Sequence, residues 1–409
     1  MERIDLLKDL VEESNAKILL IVLDGLGDIP NESGLTPLEK AGTPNLDKLA
    51  KESATGMHIP VLPGITPGSG PGHLALFGYN PIKYEIGRGI LEALGVGLEV
   101  TENDICIRAN YAKVEERDGK LIVIDRRAGR LSTEENKILT QKIVDNIKEI
   151  NGVKIFMKTG MEYRSAIVLR FPYKVNENMC KILETDPQKE GKEVIDPLPL
   201  NEESETLSEV LREFLNRVRE ILKNEKGNYL LLRGYSSPPQ IPNFSEIYKL
   251  KALSIATYPM YRGLTKLIGM DTVDITGFSI KDEVDVLKNY YTNYDFIYFH
   301  IKKTDSFGED GNFEEKVKVI EEFDSYLPKI LSLNFDTIAI TGDHSTPVPM
   351  KSHSFHPVPL LIHSPFVFRG ISNRFTEKEC LRGELGIIKG EDIMSLLLAH
   401  SRRLKKFGA

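Results

Sequence analysis

A chain of 409 residues, 41% hydrophobic and 28% charged, is long enough for two domains of ordinary size, or for one large α/β domain carrying an insertion, and has the balance of a soluble globular protein. A formal net charge of −7, with no basic run interleaved with aromatics, argues against a nucleic-acid partner. No apolar stretch approaches the roughly 20 residues needed to cross a bilayer, so no membrane role is expected.

The segment from Met1 to Leu7 is acidic and amphipathic and reads as a surface helix, not a signal peptide. The first strand signal is the apolar run Lys17 to Leu23, which stops at Asp24 in Asp24-Gly25-Leu26-Gly27-Asp28. Farther on, Pro67-Gly68-Ser69-Gly70-Pro71-Gly72-His73 precedes a predicted helix over Gly72 to Gly78. This loop lacks the Gly-Lys-Ser/Thr of a Walker loop and the spacing of a dinucleotide fingerprint. It is either a flexible glycine turn or the seat of a nucleophile, Ser69. In the second case the helix N-terminus behind it favours an oxyanion or phosphate through free N–H groups and dipole, and a nearby divalent metal lowers the hydroxyl pKa.

From about residue 86 the pattern changes. Hairpin-like strands are predicted over Ile105 to Lys113, Leu121 to Ile124 and Ala166 to Arg170. Between the last two, a helical stretch over Thr133 to Ile150 opens with Ser132 as N-cap and Glu134 and Glu135 in its first turn. Residues 176–203, rich in Glu, Asp, Pro and Asn, read as a surface excursion. A helix over Ser204 to Lys223 and a strand over Asn228 to Leu232 follow. The expected architecture is a discontinuous α/β domain over 1–85 and 226–409, with a mainly parallel sheet flanked by helices, and a smaller α+β domain inserted at 86–225.

The last third resumes the strand, loop and helix rhythm. An alternating run from Tyr294 to His300 leads to Asp305, and Phe335 to Ile340 stops at Thr341-Gly342-Asp343-His344-Ser345-Thr346-Pro347, with His353 nine residues after His344. In open α/β sheets the working residues sit at the carboxyl ends of strands, so Asp24, Asp305 and Asp343 converge if their strands are neighbours. Crowded carboxylates need cations, and adjacent Asp and His suit Zn²⁺ or Mn²⁺, with Gly342 allowing the sharp turn that presents both. The plainer alternative is a set of strand-end turns. His300 reads as a packed or outer residue, and His58, His363 and His400 have no constellation around them. Three distant cysteines, Cys106, Cys180 and Cys380, fit a reducing, cytoplasmic setting with no Cys-based metal site. Only three glutamines beside abundant Lys, Glu and Ile is the bias of heat-adapted proteins.

Taken together, Asp24 after its strand, Ser69 followed by His73-Leu74-Ala75-Leu76-Phe77-Gly78-Tyr79, Gly87-Arg88-Gly89 with Glu92-Ala93-Leu94-Gly95, Asp125-Arg126-Arg127-Ala128-Gly129-Arg130, and Thr341 to Pro347 resemble the archaeal type of 2,3-bisphosphoglycerate-independent phosphoglycerate mutase, of the alkaline phosphatase superfamily. The likeness runs from about residue 17 to the end. It implies an alkaline-phosphatase-like core, two divalent metal ions (Mn, Zn, Co or Mg) and a phosphoserine intermediate on Ser69. Asp24, Ser69, Asp343 and His344 would surround one ion, and Asp305 and His353 the other. The implied substrate is a small phosphorylated carboxylic acid, 3-phosphoglycerate, whose glycerate turns within a closed site and reclaims the phosphate. Arg126, Arg127 and Arg130 beside Asp125 are the candidates for gripping it, with Lys251 as a possible phosphate contact; a solvated charged turn is the alternative.

Two departures stand out. Where the family pattern has a histidine four residues after the strand-end Asp, this chain has Glu309; either Glu309 or His356 would complete that ligand set. After Ser69, Gly70-Pro71 replaces a polar Asp-Thr pair. Another phosphotransferase or phosphatase of the superfamily, such as a homoserine-kinase-like enzyme, and a degenerate metal- or metabolite-binding paralogue are the competing readings.

Overall fold

Apolar runs that are continuous instead of alternating must be buried on both faces; two such runs, with the run from Tyr294, expected to alternate but buried on both faces as well, form the centre of the larger of two sheets. The computed structural model describes residues 3–408. Its strands, in chain order, are β1 (Ile18–Leu23), β2 (Ala54–Ile59), β3 (Asp104–Arg117), β4 (Lys120–Asp125), β5 (Glu149–Ile150), β6 (Val153–Thr159), β7 (Arg164–Arg170), β8 (Tyr229–Ser236), β9 (Ala252–Ile255), β10 (Asp271–Thr272), β11 (Phe296–Ile301), β12 (Thr337–Thr341), β13 (Val358–His363) and β14 (Gly386–Lys389). The larger sheet has the order β10-β9-β11-β1-β12-β13-β2-β14, and every pairing is parallel except those of β13. It belongs to a compact unit made of Met1–Glu85, Ile241–Tyr258 and Thr265–Ala409.

β1 lies between β11 and β12, with Val22 opposite both His300 and Thr341. All three strands are buried along their whole length, and all three end at the same edge of the sheet. On one face Leu19, Ile21, Leu23, Ile297, Phe299, Ile338 and Ile340 pack against Leu287, Ile320, Phe323 and Leu327 from the helices Ile280–Tyr290 and Phe313–Leu331. Each such side chain contributes about 1.5–3 kcal/mol on burial. On the other face Tyr298 meets the ring of Phe77, which caps the helix Ser69–Leu76. That helix starts at Ser69, earlier than the predicted Gly72, so the candidate nucleophile occupies its first turn.

The second compact unit comprises Ile86–Gln240 and Pro259–Leu264. It extends past the expected limit at 225 because β8 adds to its sheet by antiparallel pairing with the long strand β3. The sheet, in the order β4-β3-β7-β6-β5 with β8 also on β3, is antiparallel throughout. Alternating residues Ile105, Ile107, Ala109 and Tyr111 of β3 face Leu207, Leu211, Phe214 and Val218 of the helix Glu205–Leu222. The predicted helix over Thr133 to Ile150 stops at Asn146, because Ile147 is already extended and β5 turns back into β6. That hairpin is made by Asn151-Gly152, with φ of 50° and 80°, the dipeptide that two-residue hairpin turns favour. The capping box of Ser132 and Glu135 is present at the start of the helix.

The N-terminal helix, Arg3–Leu10, buries Ile4 and Leu7. Among the described residues no helix is long and apolar enough to cross a membrane.

Glu377 is a buried acid away from these strand ends. Glu377 accepts hydrogen bonds from the Asp28 N–H (3.2 Å) and the Thr36 hydroxyl (2.7 Å). Burial, reinforced by the neighbouring charge of Asp28, pushes its pKa up to about 7 against the Thr36 bond. A carboxyl raised in the fold stabilises it fully below its unfolded value of about 4.5 and loses that contribution as pH climbs through about 7. Replacing Glu377→Gln keeps an acceptor for Asp28 and removes the titration. Urea unfolding across that window is expected to show the variant gaining about 3 kcal/mol relative to the parent as pH rises; parallel curves would show that Glu377 does not titrate there.

Candidate metal centre

The helix Ser69–Leu76 is held against the end of β12 by close backbone approach. A Cβ on Gly72 would stand 2.5 Å from the Asp343 carbonyl oxygen, so only glycine lets the helix sit there. Its seat places Ser69 Oγ 3.3 Å from His344 Nε2. One turn along, His73 donates from Nδ1 to the Ser69 carbonyl at 2.8 Å and lies 3.2 Å from Asp343 Oδ2. Gly342 has the same steric role, not the positive φ expected of a sharp turn: a side chain there would meet the Leu23 carbonyl and Leu26 at 2.9 Å.

Three acids meet at the strand ends. Asp24, fully buried, accepts at Oδ2 from His300 Nε2 (3.0 Å) and pairs with Lys302 (3.3 Å). Asp343, also fully buried, accepts at Oδ1 from the Gly25 N–H at 3.1 Å. The remaining oxygens, Asp24 Oδ1 and Asp343 Oδ2, are buried without a hydrogen bond and lie 3.3 and 3.2 Å from His344 Nε2. Asp305 pairs with Lys302 at Oδ2, accepts the Thr346 hydroxyl at Oδ1 (2.6 Å) and lies 3.5 Å from His353 Nε2. Two ligand sets result, Asp24–Asp343–His344 and Asp305–His344–His353, each with its candidate atoms within 4.8 Å of one another.

The histidine tautomers favour a metal. The Thr346 hydroxyl spends its proton on Asp305, so it accepts from His344 Nδ1 at 3.0 Å and leaves the Nε2 lone pair facing the acids. His353 donates from Nδ1 to the Pro67 carbonyl at 3.0 Å and likewise presents Nε2. An outer acceptor on one ring nitrogen is how ligating histidines are held. The two rings stack with centroids 3.7 Å apart. Burial alone would raise the Asp24 pKa, but Lys302, His300 and His344 hold it well below the usual carboxylate range. Asp343 is lowered as well: burial and Asp24 oppose this, and His344 and His73 outweigh them. Without an ion, burial disfavours charge on His344, yet Asp343 and Asp24 draw it up to about 9. Two buried carboxylate oxygens without hydrogen bonds, both facing Nε2 of His344, with His353 Nε2 turned toward Asp305 beside them, fit divalent cations.

The structure therefore brings Asp24, Ser69, Asp305, Asp343, His344 and His353 together, with His344 touching both ligand sets where the resemblance gave it to one. Glu309 Oε1 lies 3.7 Å from His353 Nε2, and its side chain is half exposed. His356 bonds Ser354 and stacks on Phe355 instead, so Glu309 is the nearer of the two alternatives. Lys251 does not join the site. It immediately precedes β9 at the amino end of the parallel sheet, its N–H is bonded to Asp295 (2.9 Å) and its ammonium lies over the Tyr294 ring. The four residues of β9 span about 13 Å toward the opposite edge, where the ligands are.

In the second unit Asp125 is occupied with its own turn, accepting from the Arg127 (2.7 Å) and Gly129 (2.8 Å) N–H groups. Arg126 forks onto buried Asp186, at 3.0 and 2.6 Å. Arg127 and Arg130 are exposed. The same unit has a cavity of about 560 Å³ lined by Arg88, Glu92, Arg108, Thr133 and Thr159.

Sequence reasoning passed over His73, Lys302, Thr346 and Lys316, and left His300 outside the site. His73 had a signal, since a residue four after Ser69 shares its helix face. Lys316 had none: from the helix Phe313–Leu331 its fully buried ammonium donates to Gly25 O (2.9 Å), Asp28 Oδ2 (2.8 Å) and Thr346 O (2.9 Å), tying the turn after Asp24 to the turn after His344.

A model of the 2,3-bisphosphoglycerate-independent phosphoglycerate mutase family matches residues 50–228. A probable 2,3-bisphosphoglycerate-independent phosphoglycerate mutase of Aquifex aeolicus is 59% identical over 99% of this chain and 100% of its own length. One from Thermotoga maritima is 55% identical over 98% of each. Among solved structures, a protein from Pyrococcus horikoshii is similar with a TM-score of 0.78 at 32% identity, covering 96% of this chain and 99% of that one. The cofactor-independent phosphoglycerate mutase of Thermoplasma acidophilum gives 0.77 at 30% identity, covering 94% and 100%.

Two substitutions test this geometry. Lys316→Met strands the buried Asp28 carboxylate and is expected to cost about 3–5 kcal/mol in urea unfolding; a loss below about 1 kcal/mol would mean that the clamp carries little of the fold. Lys251→Ala, at the wrong end of the sheet, is expected to leave kcat and KM within about twofold of the parent, and a large rise in KM would restore it to the site.

Proposed function

The chain belongs to the family of 2,3-bisphosphoglycerate-independent phosphoglycerate mutases, and from that membership we propose that Ser69 carries the phosphoryl group between the two hydroxyls of glycerate, a step of glycolysis and gluconeogenesis. The observation that carries this reading is the position of Ser69 Oγ, 3.3 Å from His344 Nε2, at the point where Asp24 Oδ1 and Asp343 Oδ2 converge. Two divalent ions held by Asp24, Asp343, His344 and Ser69 and by Asp305, His353 and Glu309 would lower the serine hydroxyl pKa and neutralise phosphoryl charge.

The chain's own groups do the rest. Ser69 Oγ attacks the phosphorus of 3-phosphoglycerate, the bond from phosphorus to the substrate oxygen breaks, and the released glycerate keeps its proton balance by taking up the one that the serine gives up. Rotated, the glycerate offers its 2-hydroxyl, and the reverse displacement frees Ser69. The helix N-terminus at Ser69 favours the phosphoryl oxygens, with Gly70 able to donate an N–H and Pro71 unable to. Water has to be kept from the phosphoserine, or the enzyme becomes a phosphatase. The exposed guanidinium groups of Arg127 and Arg130, and those of Arg88 and Arg108 around their cavity, suit a carboxylate and phosphate that must not escape.

The test is an enolase-coupled assay in Mn²⁺, Co²⁺, Zn²⁺ and Mg²⁺. Turnover with at least one ion is expected; folded protein inactive with all four would overturn the reading, and phosphate release in place of isomerisation would make it a phosphatase. Ser69→Ala should lose at least about a thousandfold in kcat with metal content nearly unchanged. A fully active variant would exclude the phosphoserine route.

A further inference from the structure

Lys302 follows the last residue of β11 and is a side chain outside the ligand sets that touches an acid of each. Its ammonium lies 3.3 Å from Asp24 Oδ2 and is paired with Asp305 Oδ2. Asp24 belongs to the first set and Asp305 to the second. In each acid the oxygen bound by Lys302 is the one turned away from the imidazole lone pairs. Asp24 Oδ1 faces His344 Nε2 at 3.3 Å, and Asp305 Oδ1 faces His353 Nε2 at 3.5 Å. His300 adds a second donor on Asp24 Oδ2 at 3.0 Å. The Lys302 side chain is mostly enclosed, so the ammonium cannot swing freely into water.

We propose that Lys302 is a positioning residue that sets ion selectivity: by holding Oδ2 of Asp24 and Oδ2 of Asp305 at once, it restricts both carboxylates to one inward oxygen. The proposal rests on the two-ion reading above and goes beyond it. Monodentate carboxylates with imidazole suit small ions of four to six ligands, such as Mn²⁺ and Zn²⁺. Ca²⁺ takes six to eight oxygens and is favoured by bidentate carboxylates. Blocking the outer oxygens therefore selects against Ca²⁺. Removing the ammonium has two effects on any divalent ion. It removes a repulsive charge, and it releases the carboxylates to rotate or chelate. The charge effect is the same for Mn²⁺ and Ca²⁺, so it cancels in the ratio of their affinities, and what remains is the geometric effect.

The experiment is calorimetric titration of the metal-stripped full chain with Mn²⁺ and with Ca²⁺, for the parent, Lys302→Met, Lys302→Gln and Lys302→Arg, with folding checked by circular dichroism. In the parent, Mn²⁺ is expected to bind much more tightly than Ca²⁺. In Lys302→Met, and equally in Lys302→Gln should the first not fold, the Mn²⁺ to Ca²⁺ affinity ratio should fall at least about tenfold, the scale on which outer partners of metal ligands act. Lys302→Arg, which keeps a cation able to bridge two carboxylates, should retain most of the ratio. A ratio unchanged in both neutral variants overturns the role of Lys302 and leaves the metal sites standing. A parent that binds no Mn²⁺ overturns the metal reading itself, and this proposal with it.

Discussion

Everything at this site depends on the cost of burying carboxylates side by side. Asp24 and Asp343 are fully buried at the ends of adjacent strands, and Asp305 follows the third strand of the same trio. Ionised carboxylates without partners are among the most expensive groups a fold can bury, and an isolated one would take up a proton instead. Asp24 and Asp343 stay ionised, because His300, Lys302, His344 and His73 are aimed at them from three elements, β11 with its following residue, the turn after β12 and the helix that begins at Ser69. The compensation is incomplete: Asp24 Oδ1 and Asp343 Oδ2 are left without hydrogen bonds, and both face the same imidazole nitrogen, His344 Nε2.

That constraint explains the glycines and the clamp behind them. Ligand atoms must be held to fractions of an ångström, so the helix bearing Ser69 approaches the Asp343 backbone where Gly72 has no side chain, and β12 turns past Leu23 and Leu26 at Gly342. Lys316 then joins the two ligand-bearing turns from below through three hydrogen bonds to their carbonyls and to Asp28. A buried ammonium is a costly device, and an apolar residue in its place would leave those turns untied. The second unit solves a different problem. Its antiparallel sheet supports exposed and cavity-lining arginines, while Arg126 and Asp125 are consumed by local structure.

The strand-end acids and the histidines of the last third were legible from sequence because apolar runs report buried strands whatever their neighbours are, and Ser69 was legible from its glycine loop ahead of a helix. The change of pattern after residue 85 and the capping box at Ser132 were legible for the same local reason. The return from the second unit was not. β8 reads as a strand in isolation, but which sheet it joins is a matter of long-range pairing, and its partner β3 lies more than a hundred residues earlier.

By itself the sequence determined which residue types end which strands and which loop precedes which helix, and that was enough to bring Asp24, Asp305, Asp343, His344 and His353 forward from the first and Ser69 from the second, because turn chemistry and strand burial are local. Only the tertiary structure decided which oxygen of each acid faces inward, that His344 stands in both ligand sets, that Lys251 lies at the opposite edge of the sheet, and that Lys302 and Lys316 hold the centre. Those are facts about contacts between segments hundreds of residues apart, and no local pattern encodes them. They follow from strand order and direction, which the chain acquires only when the sheet assembles.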